Sequence, residues 1–202
     1  MIRNILLSII LIFFGCESSK TVDIRSITPR KYIKAVNERA FELDRSAKLA
    51  WIYTSDGHYA TEIDSTGYLN NTLFPGGWMF SYLRKMSGHF YLTEFLVEQD
   101  GDIKMINELK PIYDPVLNTR FIGDSIVIPE IGWMDIDSAV SVAMDSGGRE
   151  LISGYSGWTI TAGLTRQYPK WNRLAWSFNF GQGWTITSIS LDAQTGEIIA
   201  QE

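Results

Sequence analysis

The sequence predicts an α+β fold made of two tandem modules, each a helix packed on a small antiparallel β-sheet. A helical period of apolar residues is followed by alternating apolar residues, and this succession occurs twice along the chain. Each series of alternating segments closes with a Gly-containing turn and a short return strand. Hydrophobic residues make up 45% of the 202 residues and charged residues 20%, which is typical of a folded globular protein.

The N-terminal segment has the layout of a secretory signal peptide. One basic residue, Arg3, precedes an apolar run that ends at Phe14, and the only cysteine of the chain, Cys16, follows shortly after. The run is shorter than the roughly 20 residues that a membrane-spanning helix needs. We therefore assign residues 1–15 to a signal peptide and residues 16–27 to a polar tether.

The position of Cys16 resembles the lipobox of bacterial lipoproteins, in which the cysteine after the cleavage site is acylated and becomes the first residue. Phe13 and Phe14 depart from the Leu and small residue that this family usually has. The resemblance implies lipidation of Cys16, for example with palmitate, and attachment to the bacterial cell envelope on the periplasmic side or at the outer membrane. The alternatives are an ordinary signal peptide with a chance cysteine, or an uncleaved anchor.

The first module is assigned to residues 28–110. Thr28-Pro29 supplies a hydroxyl N-cap and a proline at the first helical position, and apolar residues at helical spacing extend this helix to about Lys48. Strand segments follow at Trp51–Tyr53, Trp78–Tyr82, Phe90–Val97 and Ile103–Ile106.

A connector is assigned to residues 111–134, which contain three prolines among several apolar residues. The second module comprises residues 135–202. Asp135 or Asp137 can cap its helix, which is expected to end at Gly147-Gly148. Strand segments follow at Trp158–Ala162, Trp176–Phe180, Thr185–Leu191 and Glu197–Ala200.

The second module resembles a PepSY-type domain, a family related to the propeptides of peptidases. The similarity lies in the helix near Asp137, in Trp176-Ser177-Phe178 and in the closing turn from Asp192 to Glu197. The first module matches less well, because Val97 replaces the turn aspartate and Asp100 replaces the threonine. The resemblance implies a helix on an antiparallel sheet, an envelope location and, in some members, restraint of a peptidase.

Charge and motifs exclude several classes of function. The formal net charge is −5, and no basic stripe is present that would bind nucleic acid. The lipid on Cys16 would then be the contact with the membrane. The chain has no Gly-x-Ser-x-Gly elbow and no Gly-rich phosphate loop. We therefore expect a non-catalytic protein without a cofactor or a metal site.

The acidic turns and the two histidines are the remaining candidates for chemistry. Asp192 opens a turn that ends at Gly196-Glu197, and this pattern predicts a hairpin turn rather than a cation site. The same reasoning applies to Asp100-Gly101-Asp102. A hydrolase would need His58 or His89 beside a serine or a carboxylate in a cleft.

Two alternating aromatic rows, Trp78/Phe80/Tyr82 and Trp176/Phe178/Phe180, are predicted to be core beneath the helices. An exposed stacking platform is the alternative for these rows. Trp171 and Trp184 lie near turns and are our candidates for exposed binding residues.

These features favour a membrane-anchored lipoprotein that binds or regulates a peptide or protein partner in the envelope, such as a peptidase. The alternative is a receptor lipoprotein for a small ligand or a glycan, with its site in a groove between the modules.

Overall fold

The computed structural model describes residues 28–55, 58–60, 77–98, 100–112, 127–152, 158–167, 173–182 and 185–201. Three residues that the sequence singled out, Cys16, Trp171 and Trp184, lie outside the described residues.

Within these ranges the chain forms three helices and nine β-strands. The helices are α1 (Pro29–Leu43), α2 (Ile136–Ala143) and α3 (Arg149–Ile152), and a kinked segment, Met144–Gly148, joins α2 to α3. The strands are β1 (Lys48–Thr54), β2 (His58–Ala60), β3 (Trp78–Met86), β4 (His89–Val97), β5 (Ile103–Pro111), β6 (Trp158–Gln167), β7 (Arg173–Gln182), β8 (Thr185–Asp192) and β9 (Ile198–Gln201).

All these strands belong to one antiparallel sheet. Its order is β5-β4-β3-β1-β6-β7-β8-β9, and β2 also pairs with β6. At the seam between the two halves of the chain, Trp51, Ile52 and Tyr53 of β1 pair with Thr165, Leu164 and Gly163 of β6. The predicted fold of two tandem modules, each with its own small sheet, is therefore wrong. Separate sheets would leave β1 and β6 as open edges, and pairing them satisfies their backbone groups.

Helix α1 covers one half of the sheet and contacts β3 and β4. It starts at Pro29 as predicted, but it ends at Leu43 rather than near Lys48. The carboxylate of Asp44 accepts hydrogen bonds from the backbone N–H and the hydroxyl of Ser46, at 2.8 and 2.7 Å. This local turn competes with further helical hydrogen bonds and stops the helix early.

Helix α2 covers the other half and contacts β7 and β8. Asp135 is its N-cap, because its carboxylate accepts a hydrogen bond from the Ile136 N–H at 2.9 Å. The predicted end of this helix at the two glycines is confirmed, because the backbone leaves helical geometry at Ser146 and Gly147. Gly147 adopts a φ of 111°, which only glycine takes without strain, and the chain continues into α3.

The core lies between the helices and the sheet. Trp78, Phe80 and Tyr82 are at most 2% exposed, and the three aromatic residues of the β7 row are at most 1% exposed. The prediction that both rows are core is confirmed. Buried apolar residues from both halves join in one continuous cluster, which is a second reason why the chain does not divide into separate modules. In the part of the chain that the structure describes, no helix has the length and apolar character needed to cross a membrane.

Candidate functional site

The sheet face opposite the helices carries small polar side chains at its centre. Side chains alternate between the two faces along a strand, so the residues between the buried aromatic residues of β7 point to this face. They include Ser177 and Asn179 on β7. On β6, Thr161 pairs with Asn179 and Thr165 pairs with Ala175, and both threonines lie on the same face. These four side chains form a polar patch at the centre of this face.

At the seam between β1 and β6, a glycine interrupts this face because it has no side chain. Tyr53, Gly163 and Ser177 are Cα partners on the neighbouring strands β1, β6 and β7. Adjacent strands lie about 4.8 Å apart, so the Cα atoms of Tyr53 and Ser177 are separated by roughly 10 Å. Gly163 puts nothing into that gap, and a trough results.

Both flanking side chains are hydrogen-bonded to residues that lie away from Gly163. The Tyr53 hydroxyl donates to Glu94 Oε1 at 2.9 Å. Glu94 lies on β4, which is two strands away from β1, and β6 lies on the other side of β1. The Ser177 hydroxyl is hydrogen-bonded to the Ser190 hydroxyl of β8 at 2.9 Å. These bonds hold the walls of the trough apart.

The trough is part of a cavity of about 420 Å³. This volume lies in the range of roughly 300–1,000 Å³ that small-molecule sites occupy. The described residues that line the cavity are uncharged: Trp51, Ile52, Tyr53, Thr54, Thr161, Ala162, Gly163, Leu164, Thr165, Ser177 and Asn179. The cavity thus combines two aromatic residues with a set of hydroxyl groups and one amide.

Glu94 is the buried charge next to this cavity, with only 4% of its surface exposed. Its Oε1 accepts from Tyr53 and from the Ser81 hydroxyl at 3.1 Å, and its Oε2 accepts from Asn107 Nδ2 at 2.6 Å. Lys110 Nζ lies 3.7 Å from Oε2. Burial acts to raise the pKa of Glu94, but these hydrogen bonds and the Lys110 charge outweigh it and hold the pKa below its ordinary value. The ionised carboxylate therefore keeps the Tyr53 hydroxyl in the role of donor.

Trp51 also lines the cavity, and it lies two residues before Tyr53 on the same face of β1. It also packs against a second small apolar cluster built around Ala50 and Leu83. The indole is therefore held by the protein before any ligand arrives.

Reasoning from the sequence missed this site. It noted Trp51 and Tyr53 only as the start of a strand, and it gave Glu94 and Gly163 no role. The available signal was the set of small polar residues between the aromatic residues of β7, at Ser177 and Asn179. That pattern indicates a polar second face, but it does not show which strands share it.

The closing turn behaves as predicted from its residue types. Asp192 Oδ1 accepts hydrogen bonds from the backbone N–H groups of Gln194 and Thr195, at 2.8 and 2.9 Å. Gly196 has a φ of 78°, in the left-handed region that favours glycine. Burial acts to raise the pKa of Asp192, but the hydrogen bonds from the turn and the charge of Arg173 lower it overall. This aspartate holds the hairpin together.

A second acidic turn joins β4 to β5. Carboxylate oxygens of Glu98, Asp100 and Asp102 lie within 4.8 Å of one another. The Asp102 N–H donates to Asp100 Oδ1 at 3.0 Å, Gly101 has a φ of 88°, and Lys104 forms an ion pair with Glu98. These contacts are those of a charged turn.

Of the two histidines, the structure describes the side chain of His89 alone. His89 is exposed at the turn between β3 and β4. The side chain of His58 lies outside the described part of the chain.

Comparisons with known proteins show a similarity to one solved structure. No family model matches the chain, so the PepSY-type resemblance has no support from that side, and no curated protein matches either. The fold is similar to the crystal structure of a "putative lipoprotein" from Clostridium difficile 630, with a TM-score of 0.49 and 9% sequence identity. The alignment covers 85% of this chain and 91% of that chain. At this level of similarity the likeness says nothing about what this chain binds.

Proposed function

We propose that this protein is a non-catalytic lipoprotein of the bacterial cell envelope that binds a small ligand in the cavity over Gly163. The N-terminal sequence supports the location, because an apolar run and a cysteine at its end are typical of a lipoprotein signal. The cavity is the observation that carries the binding function. It lies at the seam between the two halves of the sheet, is of small-molecule size and is lined by mixed aromatic and hydroxyl groups.

Two features favour this reading over the peptide partner that the sequence suggested first. The aromatic rows that offered the alternative binding platform are buried. The outermost described strand on that side of the sheet, β5, has register shifts against β4, carries Lys104 and Lys110, and ends at Pro111. Bulges, lysines and proline discourage the addition of another strand to an edge.

The test uses the full-length, lipidated protein in a non-glycosidic detergent. The unfolding temperature is followed by tryptophan fluorescence in the presence of a panel of neutral sugars, amino acids, di- and tripeptides and nucleosides at millimolar concentration. We expect at least one compound to raise the unfolding temperature of the natural chain and to lose this effect in Gly163→Leu. A Cβ at Gly163 would lie 3.7 Å from its nearest heavy atoms, which is an ordinary van der Waals contact. The leucine Cβ is therefore accommodated, and the rest of its side chain fills the trough.

The matched control is Thr185→Leu, at an exposed strand position of β8. This variant should keep the stabilisation by the same compound. If no compound stabilises the natural chain, or if Gly163→Leu responds to it as strongly as the natural chain, the proposed function is wrong.

One observation supports a protein partner as a second candidate. Met105, Ile106 and Leu109 on β5 are 42–50% exposed, although they are large and apolar. Cross-linking in intact cells should then capture an envelope protein with the natural chain and lose it with Ile106→Lys, while Gly163→Leu still captures it. Equal capture by both variants would remove this candidate.

A further inference from the structure

We infer that the ligand of this cavity is a neutral saccharide, bound with one sugar ring over Gly163 and against Trp51. This inference rests on the proposed function and specifies the class of ligand. The shape of the trough, its charge, its hydrogen-bonding groups and its aromatic wall each support this class of ligand.

The trough has the width of one missing side chain between two fixed walls. Gly163 leaves the gap, and the bonds from Tyr53 to Glu94 and from Ser177 to Ser190 keep both walls turned outward. A compact ring fits this space better than an extended peptide does. An extended peptide would require a continuous groove along the strands. Trp51 and Thr165 form the cross-strand pair two residues from Tyr53 and Gly163, and this pair limits the length of the trough in that direction.

The charge of the site favours a neutral ligand. The described lining residues are uncharged, and the nearby carboxylate of Glu94 already accepts three hydrogen bonds and faces Lys110. A phosphate, carboxylate or ammonium group in the trough would lose its hydration without meeting an opposite charge among the described lining residues. Neutral groups do not carry this cost.

The polar groups of the lining can both donate and accept hydrogen bonds. Threonine and serine hydroxyls have this property, and a side-chain amide offers both kinds of group. Asn179 is held by bonds to Thr161 at 3.2 Å and to the Ser188 hydroxyl at 2.7 Å, so these groups are ordered before binding. Sugar hydroxyls also donate and accept, and a row of them matches such a surface.

Trp51 supplies the apolar surface that a sugar ring needs for its C–H face. The indole packs against the cluster around Ala50 and Leu83 and still lines the cavity. Because this packing fixes the ring in advance, little conformational entropy is lost on binding. Together with Gly163, Trp51 defines a flat-sided slot with polar groups along one side.

The experiment measures binding by isothermal titration calorimetry with the full-length, lipidated protein in a polyoxyethylene detergent, which carries no sugar. The probes are glucose, galactose, N-acetylglucosamine, cellobiose and chitobiose, compared with glucose 6-phosphate, glucosamine and tri-alanine. We expect a neutral sugar to bind, and we expect glucose 6-phosphate and glucosamine to bind at least about tenfold more weakly, the factor that about 1.4 kcal/mol represents. Trp51→Ala should weaken sugar binding by about tenfold, and Trp51→Phe should restore most of it.

Thr161→Val provides a second variant that keeps the side-chain shape while removing a hydroxyl, and it should weaken sugar binding by about threefold or more. Thr185→Val on β8 is its matched control and should bind as the natural chain does. If a charged compound or the peptide binds in a way that Gly163→Leu abolishes, while no neutral sugar does, the saccharide inference is overturned and the proposed function stands. If none of these probes or the wider panel gives binding that depends on Gly163, both fail together.

Discussion

Trp78 of β3 and Trp176 of β7 contact each other edge to face, with 6.1 Å between ring centroids and 71° between ring planes. Strands β1 and β6 lie between β3 and β7 in the sheet, so this contact joins the two halves of the chain over the seam. Trp176 also donates its indole N–H to the carbonyl oxygen of Met134 at 2.9 Å. One residue of the second half is thus packed against the first half and against the segment that precedes α2.

Trp176→Ala should lower the free energy of unfolding by about 3–5 kcal/mol, because a fully buried indole is removed from a shared core. The natural chain should unfold in one transition, since both halves belong to one apolar cluster. Urea denaturation followed by tryptophan fluorescence and by far-ultraviolet circular dichroism measures both effects. Ile186→Ala, at a residue that is 68% exposed, should change stability by less than about 0.5 kcal/mol. Two separate transitions would contradict a single core.

Glu94→Gln should destabilise the protein at pH 7 by about 1–3 kcal/mol, because the new amide places an N–H group where Asn107 already donates and removes the charge that faces Lys110. The natural chain should also lose stability in acid. The pKa of Glu94 in the folded state lies below its ordinary value of 4.5, so its contribution is complete above pH 4.5 and is lost as the pH falls through the folded-state pKa.

Urea unfolding between pH 3 and pH 7 measures this dependence. Glu94→Gln should show a weaker fall in stability below pH 4.5 than the natural chain. Glu108→Gln, an exposed carboxylate on β5, is the matched control and should leave the pH profile in place. An identical acid profile in Glu94→Gln and the natural chain would show that Glu94 is not the group responsible.

Asp192→Ala should cost about 1–2 kcal/mol of stability, because two backbone N–H groups of the closing turn lose their acceptor. Asp192→Asn keeps a carbonyl oxygen in the same place and should recover most of this loss. Thermal unfolding of the three proteins tests the order. Millimolar Ca²⁺ should leave all three unfolding temperatures unchanged, and a Ca²⁺-dependent rise confined to the natural chain would favour the cation site instead.

Gly163→Ala should stabilise the fold by about 0.5–1 kcal/mol, because glycine weakens a strand and the added methyl group meets only ordinary contacts. Gly77→Ala should destabilise it by several times that amount. Gly77 has a φ of 93°, and a Cβ there would overlap the carbonyl oxygen of Val97. Chemical denaturation of both variants tests the contrast. If Gly163→Ala proves the more destabilising change, the open space beside β6 is not as the structure describes it.

Cys16→Ser should release the protein from the membrane fraction and abolish incorporation of a clickable palmitate analogue, since the thiol is the predicted lipid attachment point. Ser18→Ala in the tether is the control and should remain lipidated. Fractionation and in-gel fluorescence measure both outcomes. Continued labelling of Cys16→Ser would place the lipid elsewhere or show that the chain is held by an uncleaved anchor.

Local patterns predicted the elements of the fold well. Thr28-Pro29 marks the start of α1, and the alternating aromatic residues on β3 and β7 are core. Of the two candidate caps of α2, Asp135 or Asp137, the structure has Asp135. These features depend on periods of two or 3.6 residues and on turn chemistry within a few positions. The error at the end of α1 has a local cause too, because Asp44 and Ser46 form a turn that the apolar period does not reveal.

Local patterns did not predict which strands pair with each other in the sheet. The repeated order of helix and strands predicts two copies of one plan, each closing its own sheet. Strands β1 and β6 instead pair with each other, and Thr54 and Ala162, 108 residues apart, share a hydrogen bond at the seam. No local period specifies which of several half-buried strands will become neighbours.

The sequence by itself predicts an export signal with Cys16, and it determined the start of α1, the aromatic rows and the turn at Asp192, because each depends on residues close together in the chain. Only the tertiary structure decided that Gly163 lies between Tyr53 and Ser177, and that the Tyr53 hydroxyl donates a hydrogen bond to Glu94. The physical reason is that a cavity is the space left when distant strands pack. A glycine acquires its role there from neighbours that the local pattern does not name.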